Sequence, residues 1–191
     1  MRQITELCRG WIDESGSNQT HDPGSYILAS AICPCGLEED VRQTMNQLTP
    51  KGAAKLHWHH ESDPRRHDII TAIAEFDLLH LVVVRVHQPQ EKFERRRRKC
   101  LELLVPRLEG RGITDLVLES RGRPDDRKDL DMLNALRSQH RAATTRFRHE
   151  IGRGEPMLSI PDAVCGAVTA ARIGDHSYQD LLGEQLTIIE I

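Results

Sequence analysis

Short runs of β-favouring apolar residues alternate along this chain with stretches of helical periodicity, and that alternation points to an α/β layer architecture. Residues 7–13 form the first run and end in Trp-Ile-Asp, with Ser15-Gly16-Ser17-Asn18 as turn chemistry behind them. Residues 25–33 (Ser-Tyr-Ile-Leu-Ala-Ser-Ala-Ile-Cys) suit a hairpin partner across a loop at 19–24, and Pro34 and Gly36 stop that strand. Leu37, Val41, Met45 and Leu48 predict a helix over 37–48. The stretch 49–60 is irregular and holds His57-Trp58-His59-His60. Asp63-Pro64 then predicts an N-cap followed by proline at the first position of a helix to about residue 76.

The run Leu-His-Leu-Val-Val-Val-Arg-Val at 79–86 reads as a buried strand. Pro89 punctuates it, and 91–109 is helical, with Phe93, Cys100, Leu101, Leu104 and Leu108 on one face and Gly110 and Gly112 ending it. A strand over 113–119 finishes on an acid. A helix capped by Asp125 or Asp126 runs to about 139, and a strand over 144–151 leads to a turn at 152–154. A helix over 159–172, a helical turn at 178–182 and a β-rich edge strand at 186–191 complete the chain. The expected fold class is a mixed sheet flanked by helices, with a helical insertion between the second and third strands.

At 191 residues and 38% hydrophobic, the chain suits one domain spanning 1–191 with a sizeable core. No apolar run of about eighteen residues exists, so no membrane span is expected. Residues 1–10 lack the apolar centre of a signal peptide, which predicts a cytoplasmic location. The five cysteines then read as free thiols, and Cys33-Pro-Cys35 is too close for paired zinc ligands. A net charge of −3 argues against a nonspecific nucleic-acid coat protein, and 4% aromatic content against a stacking platform for bases.

Three acids carry the chemistry. Asp13, Glu119 and Asp162 fall at the junctions of predicted elements, and carboxylates gathered from distant segments hold magnesium or manganese for phosphodiester chemistry. Each has a plainer alternative. Asp13 suits a turn aspartate bonded to the backbone of Gly16, Glu119 a strand-end acid paired with Arg121 or Arg123, and Asp162 an acid favoured by the first turn of a helix. Asp162, Gly166 and Thr169 share a helix side, and the small residues there let that helix lie close to the sheet. Glu14 is a fourth candidate ligand, or a solvated side chain on the opposite face of the strand. Asp126 and Asp129 offer a further ligand, or capping and pairing with Arg127 or Lys128.

His57 is a candidate proton carrier. In an extended segment His57 and His59 would share one face, which leaves a zinc site as the alternative. Lys55 is a candidate phosphate contact, as are Arg95 and Arg98 of the basic run 95–99, whose members spread around a helix and also suit pairing with Glu91, Glu94 or Glu102.

Four segments carry a family resemblance: Trp11-Ile12-Asp13-Glu14-Ser15-Gly16, Lys55-Leu56-His57, Leu116-Val117-Leu118-Glu119 and Ile160-Pro161-Asp162-Ala163-Val164-Cys165-Gly166-Ala167. In that order the chain resembles the uncharacterised family 3800 of domains of unknown function, a branch of the ribonuclease-H-like superfamily. The resemblance implies a ribonuclease-H-like domain with a Mg or Mn site on Asp13, Glu119 and Asp162, and nucleic acid, DNA or RNA, as partner. The acid that ribonuclease H carries on its first long helix has no single match among Glu91, Glu94 and Glu102. The expected function is a metal-dependent nuclease, the alternative a non-catalytic nucleic-acid-binding or protein-interaction module on the same fold. The β-rich tail also offers an edge for pairing with a second copy as a homodimer.

Overall fold

The computed structural model describes residues 7–16, 18, 20–86 and 90–191. Residues 1–6, Ser17 and Gln19 of the expected turn and loop, and the punctuating Pro89 lie outside the described residues. Among the described residues, six strands form one sheet: β1 (Cys8–Ser15), β2 (Tyr26–Pro34), β3 (Leu79–Arg85), β4 (Asp115–Glu119), β5 (Arg146–Glu150) and β6 (Leu186–Glu190). Among the described residues, six α-helices accompany them: α1 (Glu38–Leu48), α2 (Asp63–Ala74), α3 (Phe93–Glu109), α4 (Arg123–Ser138), α5 (Ser159–Arg172) and α6 (Ser177–Leu182).

The strand order is β5-β4-β1-β2-β3-β6. The β1–β2 and β2–β3 pairs are antiparallel, whereas β1–β4, β4–β5 and β3–β6 run parallel. Alternation along β1 and β4 divides the core in two. Trp11 and Val117 belong to the layer shared with α1, α2, α5 and α6, while Ile12, Leu116 and Leu118 pack with α3 and α4. Both faces are thus covered, which is why β2 is buried along all but its last residue. The helical insertion between β2 and β3 is α1 and α2, and β6 forms an edge beside β3 as expected.

Several boundaries differ from the sequence reading. The first strand continues past Asp13 to Ser15, so Glu14 is a strand residue. Ser62, not Asp63, takes the cap position of α2. The segment 58–60 is a 3₁₀ turn, so His57 and His59 do not alternate along an extended chain. Helix α4 starts at Arg123, after Gly122 with φ of 96°, a conformation that favours glycine. Asp125 and Asp126 therefore lie inside the first turn, and Asp126 accepts from Ser120 Oγ at 2.7 Å and the Arg121 N–H at 2.9 Å. The five cysteines are free, with Cys33, Cys100 and Cys165 buried. Among the described residues, no helix is long and apolar enough to cross a membrane.

Candidate active site

Strand parity sets the geometry of the site. β1 and β4 are parallel neighbours with Ile12 opposite Leu118, so the next residue of each, Asp13 and Glu119, leaves the sheet side by side. Both take the parity of Trp11 and Val117 and face the layer that contains α5. Asp162 enters the same layer from the first turn of α5, which packs on β1 and β2. Burial pushes the Asp13 carboxyl well above its ordinary range. Lys55 opposes that shift, and Glu119, close enough to share a hydrogen bond, adds to it together with the Asp162 charge.

Lys55 is the unexpected member of the group. Its ammonium is 3.4 Å from Asp13 Oδ2 and is ion-paired with Glu119, and its side chain is only 4% exposed. Burial alone would lower its pKa, but the Asp13 charge and the Glu119 hydrogen bond outweigh that and hold the amine protonated. Glu119 thus pairs with Lys55, not with Arg121 or Arg123. Asp13 Oδ1 accepts its neighbour's N–H, from Glu14 at 2.8 Å, rather than that of Gly16.

Asp162 is held by the insertion. The Trp58 backbone N–H donates to its Oδ2 at 3.1 Å, and His57 Nδ1 stands 3.7 Å from the same oxygen. Burial raises the Asp162 carboxyl, with Lys55, the Trp58 amide and His57 pulling the other way. Gly166 meets the insertion rather than the sheet, because a Cβ there would collide with the Trp58 ring. Gly152 plays the same part for Glu119 and Lys55, since a Cβ would strike both side chains. Trp58 and Gly152 had no role in the sequence reading; the Gly-Arg-Gly turn at 152–154 was the signal for the second.

Four groups of candidates lie elsewhere. Glu14 has the opposite strand parity and is ion-paired with Arg97 of α3, accepts from Tyr26 Oη at 2.8 Å, and faces Arg121. Asp129 is paired with Arg97, Arg121 and His149, rather than with Arg127 or Lys128. Glu91, Glu94 and Glu102 bind Arg85 and Arg95, Arg121, and Arg98 and Lys99 respectively, all on the α3 side. Arg95 and Arg98 therefore stand across the sheet from Asp13 and are occupied by Glu91 and Glu102. The basic run is a salt-bridged helix face that also buries Arg96 and Arg97.

An all-oxygen donor set of crowded carboxylates suits a hard divalent cation such as magnesium or manganese better than zinc. As the side chains stand, no group of three His, Cys, Asp or Glu among the described residues is placed to hold one ion, and Lys55 is the cation between Asp13 and Glu119. The same finding gives no support to a zinc site on His57 and His59.

A mixed sheet with this order, helices on both faces and acids at neighbouring strand ends is a ribonuclease-H-like fold. The chain is similar to a solved chain in the complex of PCNA and RNase HII from Archaeoglobus fulgidus, with a TM-score of 0.58. Identity is 15%, over 87% of this chain and 75% of that one. No family model and no curated protein matches the chain.

Proposed function

We propose that the protein is a nuclease that hydrolyses nucleic-acid phosphodiester bonds with magnesium or manganese held by Asp13, Glu119 and Asp162. One observation carries the reading: neighbouring parallel strands present two half-buried carboxylates on the face where α5 presents a third. The likeness of fold to a chain solved with RNase HII supports it. When bound, the metal would polarise a phosphoryl oxygen and activate the attacking water.

The chain's own residues supply the rest. Asp13 and Glu119 offer ligand oxygens once Lys55 yields its place, and the freed ammonium then lies beside the phosphate as a neutralising charge. Trp58 orients Asp162 through its backbone amide. His57 is half-exposed beside Asp162, in reach of solvent, and holds or passes a proton at the departing oxygen. Glu14, Arg95 and Arg98 have no part in this scheme.

The second reading, a non-catalytic nucleic-acid-binding or protein-interaction module, is favoured by one fact: Lys55 already compensates the acid pair. Calorimetric titration with manganese, alongside cleavage assays on DNA, RNA and hybrid substrates, separates the two. The nuclease binds manganese and cleaves, and its Asp13→Ala variant stays folded but does neither. Unchanged cleavage by that variant refutes the assignment; absence of both manganese binding and cleavage in the natural protein favours the module.

A further inference from the structure

A cavity of about 270 Å³ opens on the Gly152 side of the carboxylates. It shares its wall with them, because Lys55 and Gly152 line it while also touching Glu119. Its polar lining is Asn46, Thr49, Ser159, Lys55 and Arg153, with no carboxylate. The cavity on the other side of the cluster differs, since Asp162 is in its wall, with Arg66 and His59. A chamber with no carboxylate in its lining thus adjoins the acids. At just under the roughly 300 Å³ where drug-sized sites begin, it suits a phosphate with part of its sugar.

Arg153 is the feature with no structural employment. It is exposed at the tip of the Gly152–Gly154 turn and has no side-chain hydrogen bond or ion pair among the described residues. Its nearest acid in sequence, Glu155, is taken: Arg42 Nε donates to it at 3.0 Å, and it accepts the Met157 N–H at 3.2 Å. The turn carrying Arg153 is fixed from below by the close packing of Gly152 on Glu119 and Lys55. An uncompensated guanidinium therefore stands on a turn that cannot accept a larger residue at its base.

We propose that this cavity is a phosphate subsite for the nucleic-acid strand, in which Arg153 grips a phosphate next to the one at the carboxylates. The proposal rests on the nuclease reading above and adds where the strand runs and which residue holds it. Guanidinium is suited to the task because its planar fork matches two phosphate oxygens. Each phosphate neutralised releases counterions, so such a contact leaves a mark on the salt dependence of binding.

The test measures binding of fluorescent oligonucleotides (single-stranded RNA, single-stranded DNA and an RNA–DNA hybrid) without divalent metal, across a salt series. Arg153→Ala should weaken the best of these about three- to tenfold and lower the slope of log affinity against log salt by about one. Arg153→Lys should keep that slope, and Ala53→Glu, which adds a negative charge at the exposed lip, should weaken binding in the same way. Manganese titration should be the same in all of these proteins. Unchanged affinity and slope in Arg153→Ala, with the natural protein binding normally, overturns the subsite and leaves the carboxylate reading intact. No binding of any oligonucleotide by the natural protein, together with no cleavage, overturns both.

Discussion

The Trp58 backbone N–H donates to Asp162 at 3.1 Å, and the ring of the same tryptophan lies against Gly166, one helical turn along α5 from that aspartate. One residue of the insertion thus reads two positions of the helix. The ring is nearly buried, meets Tyr178 edge-on with centroids 5.0 Å apart, and has the Arg66 guanidinium 5.3 Å from its centre. Gly166→Ala puts a methyl group where the indole is, and the ring must shift. Overpacking of this kind costs about 1–3 kcal/mol, and the displaced Trp58 takes its amide away from Asp162. Urea unfolding should show the loss of stability, and nuclease activity should fall further than an equally destabilising change remote from α5.

Much of this arrangement was legible beforehand, and the limits have physical causes. Asp13 and Glu119 were readable because a strand has a period of two and the acids end apolar runs. The same parity argument applied to Glu14, but its far-side partner Arg97 sat in a basic run whose buried members look like the exposed ones in sequence. Asp162 was readable from its place in the first turn of α5, whereas the use of Gly166 was not. That use depends on where an irregular segment folds back, and no local periodicity encodes it. Lys55 is the clearest case: its entry between two carboxylates follows from tertiary packing of a stretch with no regular pattern. β5 blurred at both ends because its residues alternate between exposed and half-buried, which leaves only a weak apolar signal.

Asp13 should be a position where function and stability oppose each other. Its carboxyl is pushed well up by burial, helped by Glu119 and Asp162 against the pull of Lys55, so the folded state resists its charge. A folded carboxyl that binds its proton more tightly than the unfolded chain does makes stability fall as pH rises above 3.8. Asp13→Asn removes that charge without removing the shape. It should stabilise the protein at neutral pH by about 0.5–2 kcal/mol, with the gain fading in acid, and it should abolish cleavage. Added manganese should raise the melting temperature of the natural protein and leave that of the variant unmoved. A variant less stable than the natural protein at neutral pH would mean that the Lys55 contact outweighs the crowding.

Across the sheet, Glu14 and Asp129 bracket Arg97, whose side chain is 3% exposed. Burial would raise the Asp129 carboxyl, but hydrogen bonds from His149 and Arg97 and the charges of Arg97 and Arg121 hold it well below the usual range. Asp129→Ala leaves a buried guanidinium without the carboxylate that takes two of its hydrogen bonds, and breaking such a pair costs about 3–5 kcal/mol. Glu14→Gln keeps a hydrogen-bond acceptor for Tyr26 and Arg97, so it should be milder. It should also leave manganese affinity unchanged, because Glu14 is on the far face. Denaturant midpoints and calorimetry on the two variants check both statements, and a loss of manganese binding in Glu14→Gln would return that residue to the ligand set.

His80 should set the acid limit of the fold. It is on β3, opposite Ala31 on β2 and beside Leu186 on β6, 1% exposed, with no hydrogen-bond partner among the described residues for either ring nitrogen. Burial alone moves its pKa from 6.5 down to about 4. The unfolded chain therefore binds a proton that the folded protein refuses between those values, so stability rises with pH across that window. The contribution is intact above 6.5 and is lost as the pH falls towards about 4. The gap between the two values limits the loss to ~3 kcal/mol. His80→Leu has no proton to take up and no unpaired ring nitrogens, so its unfolding midpoint should decline less on acidification. Urea titrations of both proteins at steps across the window check this, and parallel declines would show that His80 is not the group that titrates on unfolding.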